Sequence, residues 1–250
     1  MLEIRDLKRY FGGLKAVDGV SFHVREEEIV GLIGPNGAGK TTVFNLISGF
    51  LKPTAGEVYF RGEAIHGKRP NVIARLGIGR TFQIVKPFSD LSVRDNVLAG
   101  MGAHIYPRFQ AFMRLYNDPK ATARAEAILE DVGLSAYTHA PAAVLPIGMQ
   151  RRLEIARALA LEPSLLLLDE SAAGLTHEEA EELADLVRRL RDRGITILLV
   201  EHNMRFAMNL CDRIVVLNQG RILAEGRPEE IQQNPAVIEA YLGHSGMRGT

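Results

Sequence analysis

The sequence predicts an α/β fold with a mixed or parallel core sheet, a β-rich N-terminal part and a helical insertion. Three observations carry this. An apolar run, Ile29–Ile33, passes through a glycine-rich loop into a helix-forming stretch. Two further continuous apolar runs flank an amphipathic helix, and a block rich in helix formers interrupts the strand pattern from about 87 to 150. At 250 residues the chain is long enough to bury a sizeable core, as one domain with a subdomain.

From the N-terminus, residues 1 to about 30 alternate as half-buried strands do, for example Val20-Ser21-Phe22-His23-Val24, and Glu57–Gly62 reads as a short strand closed by a turn. Segments 164–168 and 195–200 are nearly unbroken apolar runs, as expected of strands covered on both faces of a parallel sheet. Between them, Thr176 and Glu179 have the spacing of a capping box, and Leu183, Leu186, Val187 and Leu190 form one apolar stripe. Arg191 and Arg193 suit the C-terminal end of that helix, and Gly194 stops it. The 188–193 charge run is therefore a solvated helix face. Within the insertion, Lys120–Leu134 and Met149–Leu161 predict helices, while 101–118 fits either a helix or an ordered loop.

The loop itself fits a phosphate-binding site. Gly34, Pro35, Asn36, Gly37, Ala38, Gly39, Lys40, Thr41 and Thr42 follow the strand and open the helix, so backbone N–H groups and the helix dipole would surround an anion. Lys40 would reach the β- and γ-phosphates and the Thr41 hydroxyl would ligate Mg2+. A glycine-rich turn with a solvated lysine is the plainer alternative. Asp169 and Glu170 end the 164–168 run, where ligands of open α/β sheets bind. Asp169 is placed to hold Mg2+ and Glu170 to orient and deprotonate an attacking water, against the alternative of an acidic helix cap. His202 emerges just past the next apolar run, where it could donate to a γ-phosphate or to the water. Gln83, at the border of core and insertion, could touch both the metal ion and the water, or be a plain polar loop residue.

Bulk properties narrow the partners. Thirty basic and thirty acidic residues cancel, which gives no reason to expect nucleic-acid binding. The single cysteine, Cys211, precludes an internal disulfide, suits a reducing compartment and sits in an apolar stretch as a packed thiol would. The charged start, Met1-Leu2-Glu3-Ile4-Arg5-Asp6, does not read as an export signal. No run approaches the roughly 18 to 20 apolar residues that cross a bilayer, so a membrane role would come through a partner.

The order of the phosphate loop, Gln83, the Leu145-Pro146-Ile147-Gly148-Met149-Gln150-Arg151-Arg152 segment, Asp169-Glu170 and His202 resembles an ATP-binding cassette (ABC) ATPase over essentially the whole chain. Arg80-Thr81-Phe82-Gln83, Gln150–Ala158, Ala172-Ala173-Gly174-Leu175 and the tail from Asn234 to Gly243 look more specifically like ATP-binding subunits of branched-chain amino acid importers. The resemblance implies a P-loop nucleotide hydrolase fold with an N-terminal antiparallel β subdomain, a nucleotide-binding core (1–86 and 151–250) and an inserted helical subdomain (87–150). It implies ATP and Mg2+ as cofactors, and two ATP molecules sandwiched between head-to-tail cassettes paired as a homodimer or heterodimer. Each partner would supply Gly148 and its segment to the other's site. Phe11 occupies the place of an adenine-stacking aromatic, with Tyr10 as fallback and a core role as rival.

The resemblance further implies cytoplasmic ATPase activity on the inner face of the membrane, a permease docked beside the insertion and, indirectly, a substrate-binding protein. Cassettes for lipopolysaccharide or other cargo look similar, and a soluble ABC machine is the rival class. Two departures stand out. Pro146, Ile147 and Met149 replace residues of the usual Leu-Ser-Gly-Gly-Gln signature, which suggests a weakened signature, and Ser171 follows Glu170 where proline is common.

Overall fold

A computed structural model describes residues 1–81, 87–102 and 118–242. Strands β1 (Leu2–Phe11) and β2 (Leu14–Val24) form a hairpin, with β4 (Ala55–Phe60) on the other side of β1 and the short β5 (Glu63–Ala64) beyond it. All pairings in this four-stranded sheet are antiparallel. The second sheet comprises β3 (Ile29–Ile33), β6 (Ile78–Arg80), β7 (Leu165–Asp169), β8 (Thr196–Glu201), β9 (Arg213–Asn218) and β10 (Arg221–Gly226), in the order β10-β9-β3-β8-β7-β6. Only the β9–β10 hairpin is antiparallel. Parallel neighbours need long crossovers, and helices supply them.

Those helices are α1 (Lys40–Ile47), α2 (Pro70–Arg75), α3 (Val93–Met101), α4 (Pro119–Asp131), α5 (Ile147–Leu159), α6 (His177–Asp192), α7 (Met204–Leu210), α8 (Pro228–Gln232) and α9 (Pro235–Leu242). Every residue of β3, β7 and β8 is buried, because the sheet is covered on both faces. On one face, Leu198 and Val200 join Phe44 of α1 and the inward residues of the antiparallel sheet. On the other, Ile197 and Leu199 join Leu153 of α5, Leu186 of α6 and Phe206 of α7. Alternation along β8 divides the core in two.

Helices α3, α4 and α5 pack together, and Val97, Leu129 and Leu153 join the same buried cluster as Ile197 and Leu199 of β8. Asn96 is fully buried there; its Oδ1 accepts from the Phe88 N–H (2.9 Å), and its Nδ2 donates to the carbonyls of Phe88 and Ser92 (3.0 Å each). The capping box at Thr176 forms as read: Thr176 Oγ1 accepts from the Glu179 N–H (3.2 Å), and Glu179 Oε2 accepts from the Thr176 N–H (2.8 Å). Leu183, Leu186, Val187 and Leu190 face the core, and Gly194 leaves the helix at φ 89°. Cys211 is packed, and burial pushes its thiol pKa far above the ordinary range.

Several boundaries move. The two buried strands end one residue later than read, so Asp169 and Glu201 belong to β7 and β8 rather than to the loops beyond. Hydrogen-bonded register extends a strand past its last apolar side chain. Helix α5 begins at Ile147, directly after Pro146, so Gly148 lies inside a helix, and that helix runs unbroken through residue 150. Residues 103–117, most of the ambiguous 101–118 stretch, and Gln83 lie outside the described residues.

Candidate functional site

Parallel register aligns three strand ends. Ile33 pairs with Glu201, and Val200 pairs with Asp169, so the glycine loop, the acidic pair and His202 all leave the same edge of the sheet. Between β3 and α1 the loop folds tightly. Gly39 sits at φ 102°, and a Cβ there would lie 2.4 Å from the Ala16 carbonyl oxygen, so only glycine fits. Gly34 packs as closely: its missing Cβ would meet the Leu217 carbonyl oxygen at 2.1 Å. The Ala38 N–H turns back to the Pro35 carbonyl (3.2 Å), and the Ala38 carbonyl accepts from the Gly220 N–H (3.0 Å). Asn36 and Gly37 are left exposed at the tip.

Gly39 is the N-cap of helix α1 and supplies no side-chain cap. Its first-turn N–H groups, with Thr41 and Thr42 beside them, are therefore available to an anion. Lys40 is buried, and its Nζ donates to the carbonyls of Gly34 (2.7 Å) and Pro35 (3.0 Å) across the loop. Burial lowers its pKa, while the carboxylates of Glu170 and Asp169 act the other way. The ammonium group and both acids thus share one electrostatic site.

Asp169 is 2% exposed. Its Oδ2 pairs with Arg80 Nη2 at 2.8 Å, and its N–H donates to Thr81 Oγ1 at 3.2 Å. Its Oδ1 is buried without a hydrogen-bond partner among the described residues. Burial raises its pKa, and Arg80 pulls it back. Arg80 also donates to Asn45 Oδ1 (2.9 Å) and Ser48 Oγ (2.5 Å) on α1, joining that helix to the acid. In the sequence Arg80 is only one residue of the Arg80-Thr81-Phe82-Gln83 string. Its role was illegible because its partners lie 32, 35 and 89 residues away.

Glu170 adopts φ 50°, a left-handed conformation uncommon outside glycine. The turn sets its carboxylate 3.8 Å from His202 Nδ1, beyond direct hydrogen bonding and within reach of a bridging water. The histidine side chain is about half exposed and the Glu170 side chain largely covered. Behind them, Glu201 is a buried carboxylate that the residue pattern did not single out.

Other candidates separate. Tyr10 donates its hydroxyl to Asp18 Oδ1 (2.6 Å), whereas Phe11 ends β1 largely exposed with the Arg9 guanidinium 4.5 Å from its ring centre. Of the two residues, Phe11 is the more exposed. Gly148 lies in the first turn of α5, where a Cβ would stand 2.8 Å from Glu179 Oε1 of α6. Among the described residues no cluster of three His, Cys, Asp or Glu side chains could cage a metal ion. A lone unpartnered Asp169 oxygen suits a hard cation that keeps water and phosphate ligands, as Mg2+ does.

The ABC transporter family matches residues 17–173, and the branched-chain amino acid ATP-binding cassette transporter family matches residues 221–246. The chain is 44% identical to the high-affinity branched-chain amino acid transport ATP-binding protein BraF of Pseudomonas aeruginosa and 46% identical to LivG of Salmonella typhimurium, over 98% of each chain. It also superposes on the ADP conformation of an ATP-binding cassette from an ABC transporter, with a TM-score of 0.87 and 34% identity, covering 97% of this chain and 98% of that one.

Proposed function

The chain belongs to the ABC transporter family of ATP-binding cassettes, which hydrolyse ATP to drive transport, and we propose that it energises uptake of branched-chain amino acids through a separate membrane permease. The observation that carries this reading is the alignment of the phosphate loop, Asp169–Glu170 and His202 on one sheet edge, in a chain whose length matches the branched-chain transport ATP-binding proteins. Among the described residues no helix is long and apolar enough to cross a membrane, so the cassette would sit at the inner face of the membrane against its permease.

In this reading the backbone of residues 36–41 and the Lys40 ammonium group bind the β- and γ-phosphates, and Phe11 stacks on adenine. Thr41 and Asp169, together with Gln83, would hold Mg2+, which neutralises charge building on the phosphates when bound. Glu170 takes the proton of the attacking water, and His202 holds that water or the γ-phosphate in line. Rate enhancement comes from positioning and charge neutralisation.

The pairing partner, a second copy or a related subunit, would contribute the first turn of its α5, where Gly148 lets backbone approach a γ-phosphate. Pro146 offers neither a hydroxyl nor an N–H there, so a homodimer would be a slower ATPase than a mixed dimer; equal rates per site would refute that. The division into a core (1–86 and 151–250) and a helical subdomain (87–150) belongs to the same proposal.

Glu170→Gln tests the reading. Nucleotide titration is expected to show ATP still bound, with hydrolysis slowed at least roughly a hundredfold. Retained turnover would remove Glu170 from its role. Co-purification with a permease whose ATPase is stimulated by leucine, isoleucine or valine would identify the cargo; stimulation only by other solutes would overturn that assignment.

A further inference from the structure

Glu201 ends β8 with its side chain 1% exposed, yet nothing in the chemistry above uses it. Its Oε1 accepts the Ala172 N–H at 3.0 Å, while its Oε2 is buried without a hydrogen-bond partner among the described residues. The carboxylate therefore ties the turn after Glu170 to the end of β8, one residue before His202. The preceding residue adds another tie, since the Val200 carbonyl accepts the Glu170 N–H at 2.9 Å. Asn203 in turn caps α7, its Oδ1 accepting the Phe206 N–H at 3.1 Å, so the turn containing His202 is anchored on both sides.

We infer that Glu201 is a positioning residue for ATP hydrolysis, whose carboxylate ties the Glu170–Ala172 turn to the end of β8 that leads directly into His202, so that base and histidine hold one geometry. This rests on the roles proposed for Glu170 and His202. The left-handed φ of Glu170 points the same way, because a strained residue persists only where its surroundings over-determine it, and the Ala172 anchor is part of that surrounding.

The charge is costly to the fold. Burial pushes the Glu201 pKa up to about 7, and the Glu170 carboxylate adds to the rise. The Glu201 charge also helps to raise the pKa of the buried Cys211 thiol. With a folded pKa above the ordinary 4.5, stability is greatest below 4.5 and falls as pH rises through about 7. A group serving only the scaffold would thus lose nothing on becoming a neutral amide at pH 8.

Glu201→Gln and Glu201→Ala in the full chain separate these roles. At pH 8, Glu201→Gln is expected to melt no lower than the parent, with KM for ATP within about twofold and kcat about ten- to hundredfold down, the scale of a misplaced catalytic group. Glu201→Ala is expected to be slower still, since glutamine keeps one acceptor for Ala172. Amide exchange at Ala172, measured without nucleotide, is expected to quicken in Glu201→Ala, and unchanged exchange there would overturn the tie whatever the activity. Full kcat in Glu201→Gln, or a fall in kcat accompanied by a lower Tm and a higher KM, would reduce Glu201 to scaffold. Failure of the Glu170 role is read separately from Glu170→Gln, and the Ala172 exchange does not depend on it.

Discussion

Arg80→Ala is expected to expose how the buried Asp169 carboxylate is kept charged. Arg80 and Asp169 are 8% and 2% exposed in their side chains and paired at 2.8 Å, so the variant strands a carboxylate in the core. Breaking a buried pair by removing one partner costs about 3–5 kcal/mol. The ties to Asn45 and Ser48 and the packing of the guanidinium near the Phe44 and Phe50 rings (5.7 and 5.4 Å) are lost with it. For a chain of this size that loss corresponds to a fall in Tm of roughly 10 °C. The pH dependence gives the sharper reading. Burial already raises the pKa of Asp169, and losing Arg80 raises it further. A carboxyl whose folded pKa is raised contributes its stability at low pH and loses it as pH rises through that pKa, so the deficit should be largest at pH 8 and shrink at pH 5. Thermal unfolding of parent, Arg80→Ala and Arg80→Ala/Asp169→Asn at both pH values tests this. The double variant should be more stable at pH 8 than Arg80→Ala alone, because the unpaired carboxylate charge at position 169 is gone. Equal losses at the two pH values, or a double variant worse than the single, would refute the buried-charge argument.

Lys40→Ala is expected to weaken ATP binding by at least about tenfold to a hundredfold in nucleotide titration, the worth of a charge-assisted hydrogen bond. Without nucleotide the same variant should melt little below the parent, since burial of the ammonium group already disfavours its charge. Thr176→Ala removes the acceptor for the Glu179 N–H and should lower Tm by about 2–4 °C, matching about 1 kcal/mol for a lost cap. An unchanged Tm would show that the Glu179 half of the box suffices.

Local chemistry explains why much of this molecule was legible in one dimension. The strand–loop–helix around Lys40, the capping box at Thr176 and the all-buried runs in β7 and β8 each depend on residues a few positions apart, and propensity and periodicity report those directly. Element ends were less legible. Asp169 and Glu201 are polar, yet they complete strands whose register is set by neighbours, and α5 starts before its first apolar periodicity because Pro146 fixes its entry. The sequence leaves Tyr10 and Phe11 both open, and only the structure shows that the Tyr10 hydroxyl is bound to Asp18 while Phe11 is the more exposed.

By itself the sequence determined the α/β class, a phosphate-binding loop, an acidic pair after a buried strand and the cassette family, since all of these are written in short, contiguous patterns. Only the tertiary structure decided that Arg80 anchors Asp169 to α1 and that Glu201 ties the turn of Ala172 to the end of β8. Those links cross 29 to 89 residues of chain and exist because parallel register brings separate strand ends to a common edge, a distance no local pattern encodes.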